Sequence, residues 1–293
     1  MMLYLLVMIF SLMAVAFYTL MERRVLGNFH LRIGPNRVGL MGFFQPFSDA
    51  IKLFLKDNLK LRFNESFLWN FSPILAMYLY LTVLMLYPLS GGIMMLSYGM
   101  VLLVGILSMS VYFLMYGGFF SGNKFSLIGS FRSISQMVSY EILLIFLLMS
   151  IFMYYENFNF IVIMEMYNFM LLFVNMSFFI IWLFVCLAES NRLPYDFLEG
   201  ESELVSGFNT EYWGGYFSFI FIFEYGFMVF FCVITSFMFM SMEFIWVMSM
   251  MMLYYYLWIR STFPRLRYDF LMEMAWKKLM MLLLFFFFFF VFF

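Results

Sequence analysis

The sequence predicts an all-α polytopic membrane protein with about eight transmembrane helices and one amphipathic interfacial helix. Three observations carry this. Of 293 residues, 66% are hydrophobic and 11% charged, where a soluble domain has ~25% charged. Apolar runs near the ~20 residues that cross a bilayer recur along the chain. The basic residues then fall on one side only of the topology those runs define.

The expected spans are about 2–21, 67–89, 93–116, 137–155, 169–188, 213–240, 244–260 and 276–293. The whole chain, 1–293, reads as a single integral membrane domain. The first run has no preceding base and no small-residue cleavage site, so it reads as a retained span and not as a signal or transit peptide. The last two runs are short for a ~30 Å core, so they must recruit flanking residues.

With eight spans, the loops at 22–66, 117–136, 189–212 and 261–275 share one side. All 16 Lys and Arg lie in them or in the adjoining span ends, and the loops near 90–92, 152–168 and 241–243 hold none. The positive-inside rule makes the basic side cytoplasmic or matrix-facing and places both termini on the other.

The first basic loop has its own structure. Gly34, Pro35 and Asn36 are turn residues, and Pro46 suits a first helical turn. Phe47, Ala50, Ile51, Phe54 and Leu55 then recur at helical spacing while Asp49, Lys52, Lys56 and Asp57 take other angles. This is an amphipathic helix at the membrane surface. It either anchors through snorkelling lysines or walls a cavity that opens to lipid. Pro73, Pro88, the pair Gly117 and Gly118, Gly122, and the pair Gly214 and Gly215 are breaks tolerated where other helices or a watery cavity satisfy the backbone. No internal repeat is visible, so inverted-repeat transporter architecture lacks support.

Charges where lipid should be are the functional candidates. Glu141 lies one turn into the fourth span, Glu224 lies mid-way along the sixth, Glu22 and Arg23 end the first, and Glu189 ends the fifth. An ionised carboxylate at mid-bilayer costs at least ~2.5 kcal/mol. Such groups must face the bundle interior, pair with Arg, or hold a proton. They are either structural polar plugs or members of a proton relay. The loop 189–212 adds Asp196, Glu199, Glu201, Glu203 and Glu211 around the single base Arg192. Interleaved Leu198, Leu204, Val205 and Phe208 favour a folded loop over a solvated run. Clustered carboxylates titrate as a coupled set.

Other chemistries are disfavoured. Cys186 and Cys232 sit in apolar runs without a ligand pattern, and His30 is the only histidine, which disfavours histidine-based metal or haem sites. No phosphate-binding glycine motif follows a strand. The acidic loop lacks the EF-hand pattern. A net charge of −1 argues against nucleic acid. On these residues alone, a stand-alone proton- or ion-coupled transporter and a docking scaffold remain open beside a redox-pump subunit.

Four stretches carry a resemblance: MERRVLGNFHLRIGPNRVGLMGFFQPFSDAIKLFLKD (21–57), LIGSFRSISQMVSYEI (127–142), LAESNRLPYDFLEGESELVSGFNTEY (187–212) and WIRSTFPRLRYDFLMEMAWKK (258–278). In this order they resemble the subunit 1 family of respiratory NADH:ubiquinone oxidoreductase, complex I. The likeness covers essentially the whole chain. It departs locally at Ile33, where a basic residue is common, and at Leu193, where Thr is common.

The resemblance implies a multi-pass subunit of the mitochondrial inner membrane, with its basic loops in the matrix and its termini toward the intermembrane space. It implies ubiquinone as substrate, with NADH, FMN and iron–sulfur clusters in partner subunits, so that no catalytic residue, metal or cofactor belongs to this chain alone. Partners would be other membrane-arm subunits, the quinone-facing subunits of the peripheral arm, and lipid. By matched motif, the quinone tunnel and junction fall on Glu22, Arg23, Arg32, Asp49, Arg132, Tyr140, Phe208 and Arg267. The proton path falls on Glu141, Glu189, Glu199, Glu201, Glu203, Glu211 and Glu224.

Overall fold

The computed structural model describes residues 2–57, 66–87, 98–165, 171–198, 200, 207–240 and 242–292. Among these the regular structure is entirely helical. The long elements are α1 (Met2–Phe29), α2 (Gln45–Phe54), α3 (Ser66–Val83), α4 (Gly99–Phe119) and α5 (Lys124–Tyr155). There follow α6 (Phe160–Glu165), α7 (Leu171–Glu189), α8 (Gly214–Phe239) and α9 (Ile245–Thr262). At the end, α10 (Tyr268–Glu273), a π-helical segment (Met274–Leu279) and α11 (Met280–Phe292) follow one another without a break.

Among the described residues, five helical stretches are long and apolar enough to cross a membrane: Tyr4–Phe29, Phe67–Leu86, Gly99–Phe119, Lys124–Met153 and Gly214–Phe239, with Met176–Glu189 a shorter apolar helix. The expected seventh span is the 18-residue α9, about 27 Å long. The eighth joins a helical run that begins at Tyr268.

Helix ends differ from the hydropathy boundaries on the basic side. The first helix continues past residue 21 to Phe29. The expected loop at 117–136 is helical from Lys124, and that at 261–275 is helical from Tyr268. Hydropathy marks where hydrocarbon ends, whereas a helix continues until its backbone is interrupted. For α1 that happens at Leu31, whose φ is 52°, just before Gly34 and Pro35. At 28 residues, α1 is about 42 Å long and must project beyond a ~30 Å core.

Helix α8 is the hub, packing on α1, α2, α3, α6, α7 and α9. Helix α5 packs on α4, α7, α11 and the short 3-10 helix Gly207–Glu211. One core cluster runs through these contacts and includes Trp69, Tyr80, Leu114, Leu144, Trp182 and Phe231. Pro73 sits inside α3, whereas Pro88 lies outside the described residues. Outward, α1 shows Leu5, Ile9, Phe10, Met13 and Phe17, and α9 shows Trp246, Met250, Tyr254 and Trp258. Those faces suit acyl chains, and the aromatic ends of α9 suit the two interfaces.

Helix α2 is the amphipathic element expected after Pro46. Phe47 meets Phe17 of α1 at 5.9 Å and Phe54 meets Phe219 of α8 at 6.3 Å. Ile51 and Leu55 face outward, so the apolar stripe is shared between the bundle and its surroundings.

Candidate functional site

Glu22 lies where α1, α8 and α9 meet, and only 5% of it is exposed. Its Oε1 pairs with Arg260 Nη1 of α9. Its Oε2 accepts a hydrogen bond from the Tyr225 hydroxyl of α8 at 2.5 Å. The Arg192 guanidinium lies over the Tyr225 ring, 4.0 Å from its centroid, a cation–π arrangement. An acid buried this deeply is tolerated because both oxygens have donors.

A second centre lies beside the first. Glu189, Ser190 and Asn191 at the end of α7, Glu224 of α8, and Ser110 and Met137 line a cavity of about 20 Å³. Its size is that of one water molecule. Glu189 is buried, and its Oε1 has no hydrogen-bond partner among the described residues. Glu141 of α5 is half-buried and does not line this cavity. Two of the expected path carboxylates, Glu189 and Glu224, thus converge on one cavity.

The acidic loop is anchored at both ends. Gln136, fully buried, donates from Nε2 to the carbonyls of Ala188 at 2.8 Å and Tyr195 at 3.0 Å. Arg265 pairs with Asp196 at 3.5 Å, and the Leu266 N–H donates to the Pro194 carbonyl at 3.1 Å. Tyr140 packs on Tyr195 at 6.2 Å and donates to the Leu271 carbonyl at 3.4 Å. Burial pushes the Tyr195 hydroxyl up to about 12.

At the far end, Glu211 is buried and accepts from the Gly122 N–H at 3.2 Å. Burial raises its pKa, outweighing the opposing hydrogen bonds from Gly122 and the Asn123 side chain. Phe208 is fully buried, between Phe113 at 6.1 Å and Tyr212 at 5.3 Å. Tyr212 in turn stacks on Trp69 at 4.8 Å and bonds Ser72 at 2.6 Å. Phe208 is therefore a wall of packed aromatics. Glu199, Glu201 and Glu203 lie outside the described residues.

The outer residues form a separate group. Arg23 pairs with Asp49 at 2.7 Å, and Gln45 donates to the other Asp49 oxygen at 2.9 Å, tying α2 to α1. Arg24 and Arg32 line a surface groove of about 510 Å³ with Asn28, Asn36 and exposed Leu31, Ile33 and Met41. Arg132 is half-buried on α5. Arg267 is exposed and pairs with Asp269 at 2.9 Å.

The NADH dehydrogenase family model matches residues 2–291. The chain belongs to the NADH dehydrogenase family. Relatives agree in sequence over most of their length. The chain is 42% identical over 290 residues to the NADH-ubiquinone oxidoreductase chain 1 of Locusta migratoria, covering 94% of this chain and 90% of the relative. It is 39% identical over 281 residues to that of Aedes aegypti, at the same coverage, and 39% identical over 279 residues to that of Heterololigo bleekeri, covering 92% and 89%.

In this member of the NADH dehydrogenase family, the sequence marks the acids as candidates and leaves unmarked the residues that surround them: Tyr225 and Arg260 hold Glu22, Gln136 holds the turn after α7, and Asn191 lines the cavity. Arg260 had a signal as a base on an apolar helix, and Gln136 as an amide just before a span. Tyr225 had none, being one of 20 tyrosines.

Proposed function

We propose that this chain is the membrane subunit of NADH:ubiquinone oxidoreductase that builds the membrane part of the ubiquinone tunnel and begins the acidic path coupling quinone reduction to proton translocation. The observation that carries the reading is the convergence of Glu189 and Glu224 on one small cavity inside the bundle. Carboxylates held together away from solvent share protons, so a charge change at one redistributes protons on the others.

Quinone reduction to quinol takes two electrons and two protons. The electrons come from flavin and iron–sulfur groups of partner subunits that oxidise NADH. Charge formed on the quinone head acts on Glu22 and the acidic loop, including Glu199, Glu201 and Glu203. The response passes through Glu189, Glu141 and Glu224 into the neighbouring membrane-arm subunits. Arg23, Arg32, Asp49, Arg132, Tyr140, Phe208 and Arg267 shape the tunnel and the junction with the peripheral arm. Ubiquinone's apolar tail enters from lipid past α2, whose outward Ile51 and Leu55 suit that contact. The chain lies in the mitochondrial inner membrane as one integral domain, with its basic loops in the matrix and both termini toward the intermembrane space.

The test is Glu141→Gln in the assembled complex. Quinone reduction should slow or uncouple from pumping, while NADH oxidation by a water-soluble acceptor that bypasses quinone stays unchanged. Normal quinone turnover with normal pumping would sink the role of Glu141.

A further inference from the structure

The two buried centres are joined at a single side chain. Consecutive residues on a helix point ~100° apart, so Glu224 lines the carboxylate cavity while Tyr225 turns to Glu22. The loop after α7 does the same, with Asn191 on the cavity and Arg192 on the Tyr225 ring. Tyr225 thus connects to the two segments that bring Glu224 and Glu189 to the cavity, through its own backbone and through Arg192, and touches Glu22 of the Glu22–Arg260 pair through its hydroxyl.

We propose that Tyr225 is a positioning residue that couples the charge on Glu22 to the placement of Arg192 beside the cavity of Glu189 and Glu224. The inference rests on the proposed quinone role of Glu22. The Tyr225 hydroxyl donates to Glu22, and that hydrogen bond is strong while Glu22 is ionised and weaker once it is protonated. The ring of the same residue carries the only base of the acidic loop. A change of charge at Glu22 therefore alters how firmly the ring is held, and with it where Arg192 sits. Tyr18 buttresses the arrangement from α1, edge-on to Tyr225 at 6.0 Å, with its hydroxyl on the Leu253 carbonyl of α9 at 3.4 Å.

The experiment compares Tyr225→Phe, Glu22→Gln and the double variant in the assembled complex. Quinone reduction is normalised to NADH oxidation by a water-soluble acceptor. Tyr225→Phe keeps the ring under Arg192 and removes only the hydroxyl. Its kcat for a short-chain ubiquinone analogue should fall about tenfold, the scale of one hydrogen bond to a charged group, with KM within about twofold. The double variant should be no slower than the slower single variant, because the two act as one unit.

Wild-type kcat in Tyr225→Phe beside a slow Glu22→Gln overturns the inference and leaves the proposed function standing. Wild-type kcat in both overturns the quinone role of Glu22 and the inference with it. A fall in both activities together, in proportion to lost complex, reduces Tyr225 to a packing residue and also overturns the inference.

Discussion

Gly117 of α4 lies directly against the Phe208 ring: a Cβ at 117 would stand 2.3 Å from two of its carbons and 2.8 Å from the Tyr212 hydroxyl. The close approach of α4 to the Gly207–Glu211 segment depends on this missing side chain. Phe208 is fully buried there.

Gly117→Ala tests that contact with a sign. Helix propensity alone would stabilise the variant by up to ~1 kcal/mol. Overpacking a full core costs ~1–3 kcal/mol, and a contact at 2.3 Å makes that effect win. The melting temperature of the detergent-solubilised complex should fall, and an unchanged or higher value would refute the packing.

Gln136 supplies the two donors that hold the turn after α7. Gln136→Leu removes those two hydrogen bonds while the Asn191 and Phe197 N–H groups still donate to the Ala188 and Tyr195 carbonyls at 3.2 and 3.1 Å, so the loss is about 0.5–1.5 kcal/mol for each bond. Less complex should assemble, and what assembles should lose activity at lower temperature. Limited proteolysis of the loop 189–212 is the direct readout, with faster cleavage expected.

Arg260 neutralises a buried acid. Removing one partner of a buried pair costs about 3 kcal/mol or more, and the one-third exposure of Arg260 places the loss at the lower end. Arg260→Met should therefore destabilise more than Glu22→Gln. The double variant should recover part of the loss, because no unpaired charge remains. Equal melting temperatures for the Arg260→Met and double variants would contradict this.

Glu211 gives a pH dependence. Its folded pKa is raised by burial above the ordinary carboxylate value of 4.5. The folded protein therefore binds more protons than the unfolded chain from that value upward, and stability falls as pH rises through the window. Glu211→Gln removes the titration and can keep the acceptor for the Gly122 N–H. Thermal melts from pH 5 to 8 should decline less with pH in the variant than in wild type. Parallel curves would exclude Glu211 as the source.

Hydropathy marks the apolar helices in the sequence because transferring apolar side chains into lipid is a local, additive effect that each segment carries by itself. The all-helical fold, the amphipathic helix after Pro46 and the suspicion attached to Glu22, Glu141, Glu189 and Glu224 were readable in the sequence for that reason. Helix ends on the basic side were not, because backbone hydrogen bonding continues through charged residues once they leave the hydrocarbon. Partnership was not readable either. Glu22 and Tyr225 are 203 residues apart, and no local pattern brings them together. From the residues alone, the cost of an ionised carboxylate in hydrocarbon required these acids to find partners or hold protons. Only the tertiary structure decided which donors accompany them: Arg260 and Tyr225 for Glu22, Gly122 for Glu211, and a shared small cavity for Glu189 and Glu224. The cost of burying a charge is a property of one residue, whereas its compensation depends on which helices pack together.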